Sequence, residues 1–182
     1  MAATLTIPPG FRFYKDLIIA VATSHGLEPA LVAGVCWQES EFCAHAYRFE
    51  PDFWNRYLKL NPKYRHLNPA RVSASYGLMQ IMYPLVHEDK LADNDALPPE
   101  HLFVPELNLD MGCRWLKGLF TWAQGLGVND ANVVRLAAVA AYNGGKGGND
   151  PTKNWPLRTA HYATKTFAKE ARIRRELSGG TD

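Results

Sequence analysis

Residues 133–142, VVRLAAVAAY, are small and apolar nearly all the way round a helical projection. A helix without a polar face must be covered on every side, so it belongs at the centre of a bundle. This segment requires a shell of other helices, and the rest of the chain offers one. Pro8-Pro9-Gly10 precedes a helical pattern over 11–25, which Gly26 ends as the C′ residue. Pro29 suits the first turn of a second helix carrying residues 31–40. Pro105 opens a long helix over 105–124, with Leu109, Leu116, Leu119, Phe120 and Ala123 as core positions and Gly125 and Gly127 as stops. Asn129 or Asp130 caps the 133–142 helix, and a basic helix over about 159–177 closes the chain. Residues 77–82 read as a short apolar helix stopped by Pro84.

Residues 44–74 break this pattern. Tyr47, Phe49, Phe53, Trp54, Tyr57 and Tyr64 stand there among Pro51, Pro62 and Pro69. A short helix over 51–59 is expected, with Phe53, Trp54, Tyr57 and Leu58 on one side; the remainder reads as a loop or lid. There is no repeat, strand-rich region or long linker. The expectation is an all-α fold in one domain over 1–182, with an aromatic-rich insertion at 44–74.

A chain of 182 residues can bury a real core, and 47% hydrophobic with 21% charged residues excludes wholesale disorder. The net charge of +2 does not imply nucleic acid. Late in the chain, however, Lys153, Arg158, Lys165, Lys169, Arg172, Arg174 and Arg175 cluster with Glu170 as the only acid among them. That cluster suits a polyanionic neighbour such as a cell wall or anionic lipid, or is simply a solvated helix face. Nucleic-acid binding would rest on this local charge alone and is not expected. Cys36, Cys43 and Cys113 are odd in number and give no disulfide framework, so all three read as small buried residues. The first nine residues lack a basic n-region and a long apolar h-region. No signal peptide is therefore expected, and the chain should be made in the cytoplasm and reach any outside target by another route. No apolar run approaches the ~18 residues of a membrane span.

The chemistry centres on Glu39. Val32, Val35, Glu39 and Phe42 fall on one helical stripe, apolar except for the carboxylate. A carboxylate facing a core or cleft is costly when ionised, so its pKa rises. An acid still protonated near neutral pH can donate to a glycosidic oxygen; equally, a buried glutamate can simply pair with an arginine. Searches for other chemistries fail. No Gly-x-Ser-x-Gly elbow is present, residues 144–148 lack Walker spacing, and the six histidines show no metal-ligand spacing with the cysteines. No metal or cofactor is expected. What remains are polar residues set in apolar segments: Gln80 within Ser75-Tyr76-Gly77-Leu78-Met79-Gln80-Ile81-Met82, and Tyr142 and Asn143 at the end of the central helix. Such groups must find partners, either one another or the acetamido and hydroxyl groups of a sugar.

Glu39-Ser40, Gly77-Leu78-Met79-Gln80 and Ala141-Tyr142-Asn143 occur in the order found in soluble lytic transglycosylases, the family that includes goose-type lysozymes. Pro105-Glu106-Leu107-Asn108-Leu109, with Gly112 and Leu116, resembles that family's Pro-x-x-Asn helix. Thr159-Ala160-His161-Tyr162 resembles its closing Thr-x-x-Tyr motif. The resemblance covers about residues 30–166 and rests on the shared order of short motifs. Two departures stand out. Tyr47-Arg48-Phe49-Glu50-Pro51 is inserted where the family has a short link, and is similar to a phage-associated, muramidase-like branch. Gly144 replaces the alanine of Ala-Tyr-Asn-Ala-Gly, a change expected to be harmless.

The resemblance implies a lysozyme-like fold with a substrate cleft, and peptidoglycan glycan strands as substrate. It implies cleavage of the β-1,4 bond between N-acetylmuramic acid and N-acetylglucosamine, with formation of a 1,6-anhydro sugar. Glu39 would be acid and then base. Ser75, Gln80 and Asn143 would position acetamido and hydroxyl groups, Tyr142 and Tyr162 would line the cleft near Glu39, and Met79 would supply an apolar wall. Ser40 would serve helix packing. Glu50 would either activate water, making the protein a hydrolytic muramidase, or pair with Arg48 or Arg56. A monomeric phage endolysin or another delivered wall-degrading component is the role this suggests, with a non-catalytic wall-binding component as the rival.

Overall fold

The apolar segment 133–142 makes up most of a helix whose middle is buried. In a computed structural model, which describes residues 5–87 and 97–179, the helix α7 runs over Ala131–Gly144. Its Ala137, Ala138, Val139, Ala140 and Ala141 are wholly buried. The Asp130 carboxylate caps it, accepting from the amides of Asn132 and Val133. Around it stand α1 (Phe11–Ser24), α2 (Pro29–Ser40), α6 (Pro105–Gln124) and α8 (Ala160–Leu177). α7 packs between α6 and α8, α2 lies along α8, and α1 bridges α2 and α6.

The start and stop signals act as expected. Gly26, at φ +64°, lets α1 end with the Gly26 amide on the Thr23 carbonyl and the Leu27 amide on the Ala22 carbonyl. Pro29 and Pro105 occupy first-turn positions of α2 and α6, where no N–H is needed. The N-terminal reading falls partly on residues 1–4, which lie outside the described residues. Among the described residues no helix is long and apolar enough to cross a membrane.

The molecule is mainly helical, but the insertion and the expected 77–82 helix fold otherwise. Residues Tyr47–Phe49 (β1), Ala74–Tyr76 (β2) and Ile81–Met82 (β3) make a small antiparallel sheet in the order β1-β2-β3. Residues 77–80 are therefore a turn between strands, not a helix. Gly77 at φ +72° and Gln80 at φ +48° turn the chain in the left-handed region, which helical periodicity cannot reveal. In the insertion, α3 (Pro51–Phe53) continues into one π-helical turn over Trp54–Leu58. Short α4 (Pro69–Val72) and α5 (Tyr83–His87) flank the sheet, and two 3₁₀ turns cover Pro99–Phe103 and Lys146–Gly148.

The end of α2 also differs. Glu41 (φ 52°) and Phe42 (φ 64°) leave the helix in left-handed conformations, so Phe42 does not extend the stripe. Phe42 is nevertheless buried, its ring 5.3 Å from that of Phe11. The segment Leu31–Trp37 is buried all round rather than along one stripe. Cys43, beyond this turn, is exposed, unlike the buried Cys36 and Cys113.

Candidate active site

Glu39 lies in the last turn of α2, half-buried at the edge of a depression of about 360 Å³. Ser40 fixes that turn: its hydroxyl is 3.0 Å from the Cys36 carbonyl and 2.7 Å from the Leu78 carbonyl, tying α2 to the β2–β3 turn. The packing role expected of Ser40 is what the geometry shows. Across the helix pair, the Tyr162 hydroxyl of α8 donates to Glu39 Oε1 at 2.5 Å. No other polar group among the described residues bonds to the carboxyl, so Oε2 is the atom left to face the depression.

Burial is the largest influence on Glu39 and raises its pKa above the ordinary 4.5. The Tyr162 hydrogen bond, Arg48 and Lys169 act against it, and Glu50 adds to it; the balance is upward. Burial also pushes the Tyr142 and Tyr162 hydroxyls well above their ordinary value, so both stay protonated donors.

The sheet supplies the floor. Arg48 is opposite Ser75, and Ser75 opposite Met82, so the three side chains share one face. Strand alternation puts Glu50 on the same face as Arg48. All four line the depression with Glu39. Arg48 Nε donates to Glu50 Oε1 at 2.5 Å, one of the alternatives left open for Glu50. Glu50 is held by its backbone as well: its amide donates to the Ser73 carbonyl and its carbonyl accepts from the Ser73 hydroxyl, each at 2.8 Å. The other face of the sheet turns inward, where Tyr76 packs edge-on against Tyr47 and Phe103.

Of the residues expected at the site, Ser75, Gln80, Tyr142, Asn143 and Glu50 surround the depression with Glu39. Tyr162 reaches it through Glu39 itself. The Gln80 amide nitrogen donates to the Ala46 and Gly77 carbonyls, leaving its amide oxygen for a ligand. The Tyr142 hydroxyl donates to the Met79 carbonyl at 2.8 Å. Met79 is the exception. Its side chain is fully buried against Gly112, where an added Cβ would lie 2.3 Å from the sulfur, so it braces α6 rather than walling the cleft. Arg48, Phe53 and Met82 also border the depression, and only the alternation of a strand not foreseen in the insertion would have placed Arg48 there.

The depression opens into a larger arm of about 550 Å³, which shares Phe53, Gln80, Met82, Tyr142 and Asn143 with it. Together they form one groove passing Glu39. A family model for the transglycosylase SLT domain matches residues 16–167. This chain belongs to that family. Membrane-bound lytic murein transglycosylase C of Yersinia pestis and of Yersinia pseudotuberculosis are each 30% identical over 139 residues, covering 74% of this chain and 32% of the relative. The lytic transglycosylase Slt of Pseudomonas aeruginosa, solved as an inactive mutant, superposes with a TM-score of 0.60 at 18% identity, over 93% of this chain and 25% of that one. The fold is thus the lysozyme-like one expected. The chain spans about a third of the length of the curated relatives it matches and a quarter of the solved one.

The motifs that mark this SLT domain have separate physical tasks. Asn108 of the Pro-x-x-Asn helix is wholly buried; its oxygen accepts from the Met79 amide, and its nitrogen donates to the Tyr76 and Leu102 carbonyls. It thereby shapes the turn carrying Gln80. Thr159 of the closing motif donates to the Ala140 carbonyl, while Asn149 Oδ1 accepts from the Thr159 amide. Gly144 lies against this knot: an added Cβ would be 2.6 Å from Thr159 Oγ1 and 2.7 Å from Asn149 Nδ2. An alanine here would require Thr159 or Asn149 to shift, so glycine suits the position as this chain packs it.

Proposed function

We propose that this domain is a peptidoglycan lytic transglycosylase, acting on the β-1,4 bond between N-acetylmuramic acid and N-acetylglucosamine. The observation that carries this is the Glu39 carboxyl group, raised by burial, held through one oxygen by Tyr162 and set at the edge of a groove whose second carboxylate, Glu50, is paired with Arg48. Family membership and the names of the murein transglycosylases it resembles support the same reading.

Protonated Glu39 gives its proton to the leaving glycosidic oxygen. The substrate's own N-acetyl group stabilises the positive charge at C1. The resulting Glu39 carboxylate, its Oε1 still bonded by Tyr162, removes the proton from the C6 hydroxyl, whose oxygen closes onto C1. The bond to the leaving oxygen breaks, the C6–O–C1 bond forms, and no water is consumed. Ser75, Asn143 and the Gln80 amide oxygen hold the sugar's acetamido and hydroxyl groups.

Glu50 bears on the competing reading, a hydrolytic muramidase, because glycosidases that use water generally need a second carboxylate. Its carboxylate is bound by Arg48, and we read it as setting the field at Glu39 rather than activating water. The Arg48-Phe49-Glu50-Pro51 segment carries the resemblance to the phage-associated branch. On that resemblance we read the protein as a phage-associated wall-degrading lysin.

Mass spectrometry of digested peptidoglycan tests the chemistry: 1,6-anhydro ends are expected, and reducing ends would establish hydrolysis instead. Glu39→Gln should lose activity by about 10²–10⁴-fold while remaining folded. Near-normal wall lysis by that variant would remove Glu39 from the mechanism and favour a wall-binding role.

A further inference from the structure

Residues 53–87 contain no aspartate or glutamate, while Arg56, Lys59, Lys63 and Arg65 fall within a stretch of ten residues. These cations stand on one excursion of the chain, from the π-helical turn over Trp54–Leu58 into the turns that follow it. Two side chains pin the excursion to the core: Leu58 is 3% exposed and Tyr64 is fully buried. Short-range hydrogen bonds close the backbone between them. The Lys59 amide donates to the Trp54 carbonyl at 2.9 Å and the Asn61 amide to the Leu58 carbonyl at 3.0 Å. The Tyr64 and Arg65 amides both donate to the Asn61 carbonyl, at 3.0 and 2.8 Å. The Asn61 side chain braces the turn further by accepting from the Lys63 amide at 2.9 Å.

The turn so fixed holds Leu60 out in solvent, 86% exposed, with Tyr57, three positions earlier, at 56%. Arg56, Lys59, Lys63 and Arg65 flank the pair in sequence and are exposed as well. Arg56, Lys59 and Arg65 have no carboxylate partner among the described residues. Arg56 lies instead 5.9 Å from the ring centroid of Tyr57. Cations late in the chain differ: Lys153 is paired with Asp150, Arg172 with Glu176, and Arg174 with Glu28 and Glu170.

An apolar side chain displayed by a braced turn, among cations that nothing neutralises, suits a surface that is negative at its face and hydrocarbon beneath. A polyanion in water would engage the cations and have no use for Leu60. We propose that the Tyr57–Arg65 turn docks this protein on an anionic phospholipid surface. Leu60 and Tyr57 enter the headgroup region, and the cations meet the lipid phosphates. Tyr57, Leu58 and Asn61 also line the arm of the groove, so docking holds the mouth of that arm beside the lipid. The glycan within reach is then the layer nearest the membrane. The proposal goes beyond the transglycosylase reading and does not require it, because lipid binding is measured without glycan.

Co-sedimentation of the full chain with phosphatidylcholine vesicles, with and without phosphatidylglycerol, tests this. The chain should bind the anionic vesicles about tenfold more tightly and lose that margin at high salt. Leu60→Ser should weaken binding to them by about tenfold. Lys59→Gln combined with Arg65→Gln should weaken it by about as much. These three side chains are exposed and do not border the catalytic depression, so lysis of purified wall should not change in either variant. Phe13→Ser is the matched control, since Phe13 stands on α1 at 84% exposure, and it should leave vesicle binding unchanged. Equal binding to both kinds of vesicle, or to neither, would overturn the proposal. So would a Leu60→Ser chain that binds as tightly as the parent, which would make the turn a site for soluble polyanions. An equal loss in Phe13→Ser would overturn it as non-specific adhesion. A fall in wall lysis with vesicle binding intact would overturn it by assigning the turn to the glycan.

Discussion

Burial raises the Glu39 carboxyl, and the Tyr162 hydroxyl pulls it back by donating to the ionised form. Removing that donor in Tyr162→Phe should raise the pKa of Glu39 further. Because the reaction needs the protonated acid, the alkaline limb of kcat/KM should move to higher pH, while kcat falls about tenfold as Oε2 loses its fixed aim. A pH–rate profile checks both, and an unmoved limb would separate Tyr162 from the acid. Stability follows the same group. A carboxyl whose pKa is raised by folding holds its proton more tightly in the native chain than in the unfolded one. Stability is therefore full below the ordinary value of 4.5 and falls as pH rises from there through the native value. Glu39→Gln removes that dependence. It should stabilise the protein at pH 7 by on the order of 1 kcal/mol, as trade-offs at functional sites commonly do. The gain should close by about pH 4 in paired denaturant titrations. A gain independent of pH would mean that Glu39 is not held against its own ionisation.

At the scale of elements, the β2–β3 turn is what the α6 motif exists to hold. Asn108 satisfies three backbone groups: the Met79 amide in the turn, the Tyr76 carbonyl at its start and the Leu102 carbonyl of the 3₁₀ turn before α6. Asn108→Ala leaves all three buried without partners, and should cost about 3 kcal/mol or more in urea unfolding. It should also lower activity through Gln80 and Ser75, although Asn108 does not line the groove. A cost below about 1 kcal/mol would show that water or a shifted turn replaces the amide. This turn is also where sequence reading stopped working. The long helices were legible because proline, glycine and aspartate mark their ends and the apolar run of α7 can only be central. Strands of two and three residues give no period to detect, and an apolar Gly77–Met82 segment fits a helix as readily as a turn and strand. The site shows the same division. Motif order pointed to Glu39, Gln80, Tyr142, Asn143 and Tyr162, but the floor depends on β1 register, so Arg48 was foreseen only as a partner for Glu50. Met79 was misplaced because whether a side chain faces groove or core is decided by Gly112 on a distant helix.

Across the whole molecule, the distance between Glu39 and Tyr162 is set by how α2 crosses α8. Gly34 allows the close approach: an added Cβ there would lie 3.1 Å from both the Glu170 Cβ and the Thr166 carbonyl. Charge then locks the crossing. Glu170, with its side chain 4% exposed, accepts from Arg135 of α7 and from Arg174, and both arginines also reach Glu28 at the start of α2. The Glu170 carboxylate thus joins three helices, α2, α7 and α8. A buried carboxylate shared by two guanidinium groups is costly to disrupt from one side, because the remaining charges lose their partner in a poorly solvated place. Glu170→Ala should therefore cost roughly 3–5 kcal/mol. Arg174→Ala should cost about 1 kcal/mol or less, because that side chain is 53% exposed and water can take its place. Glu170→Ala should also reduce activity more than its stability loss explains, since the α2–α8 crossing positions the catalytic carboxyl group. Urea unfolding of the two variants, with wall lysis measured well below their transitions, distinguishes them. If Glu170→Ala cost no more than Arg174→Ala, apolar packing alone would set the crossing, and Tyr162 would reach Glu39 without help from the charges.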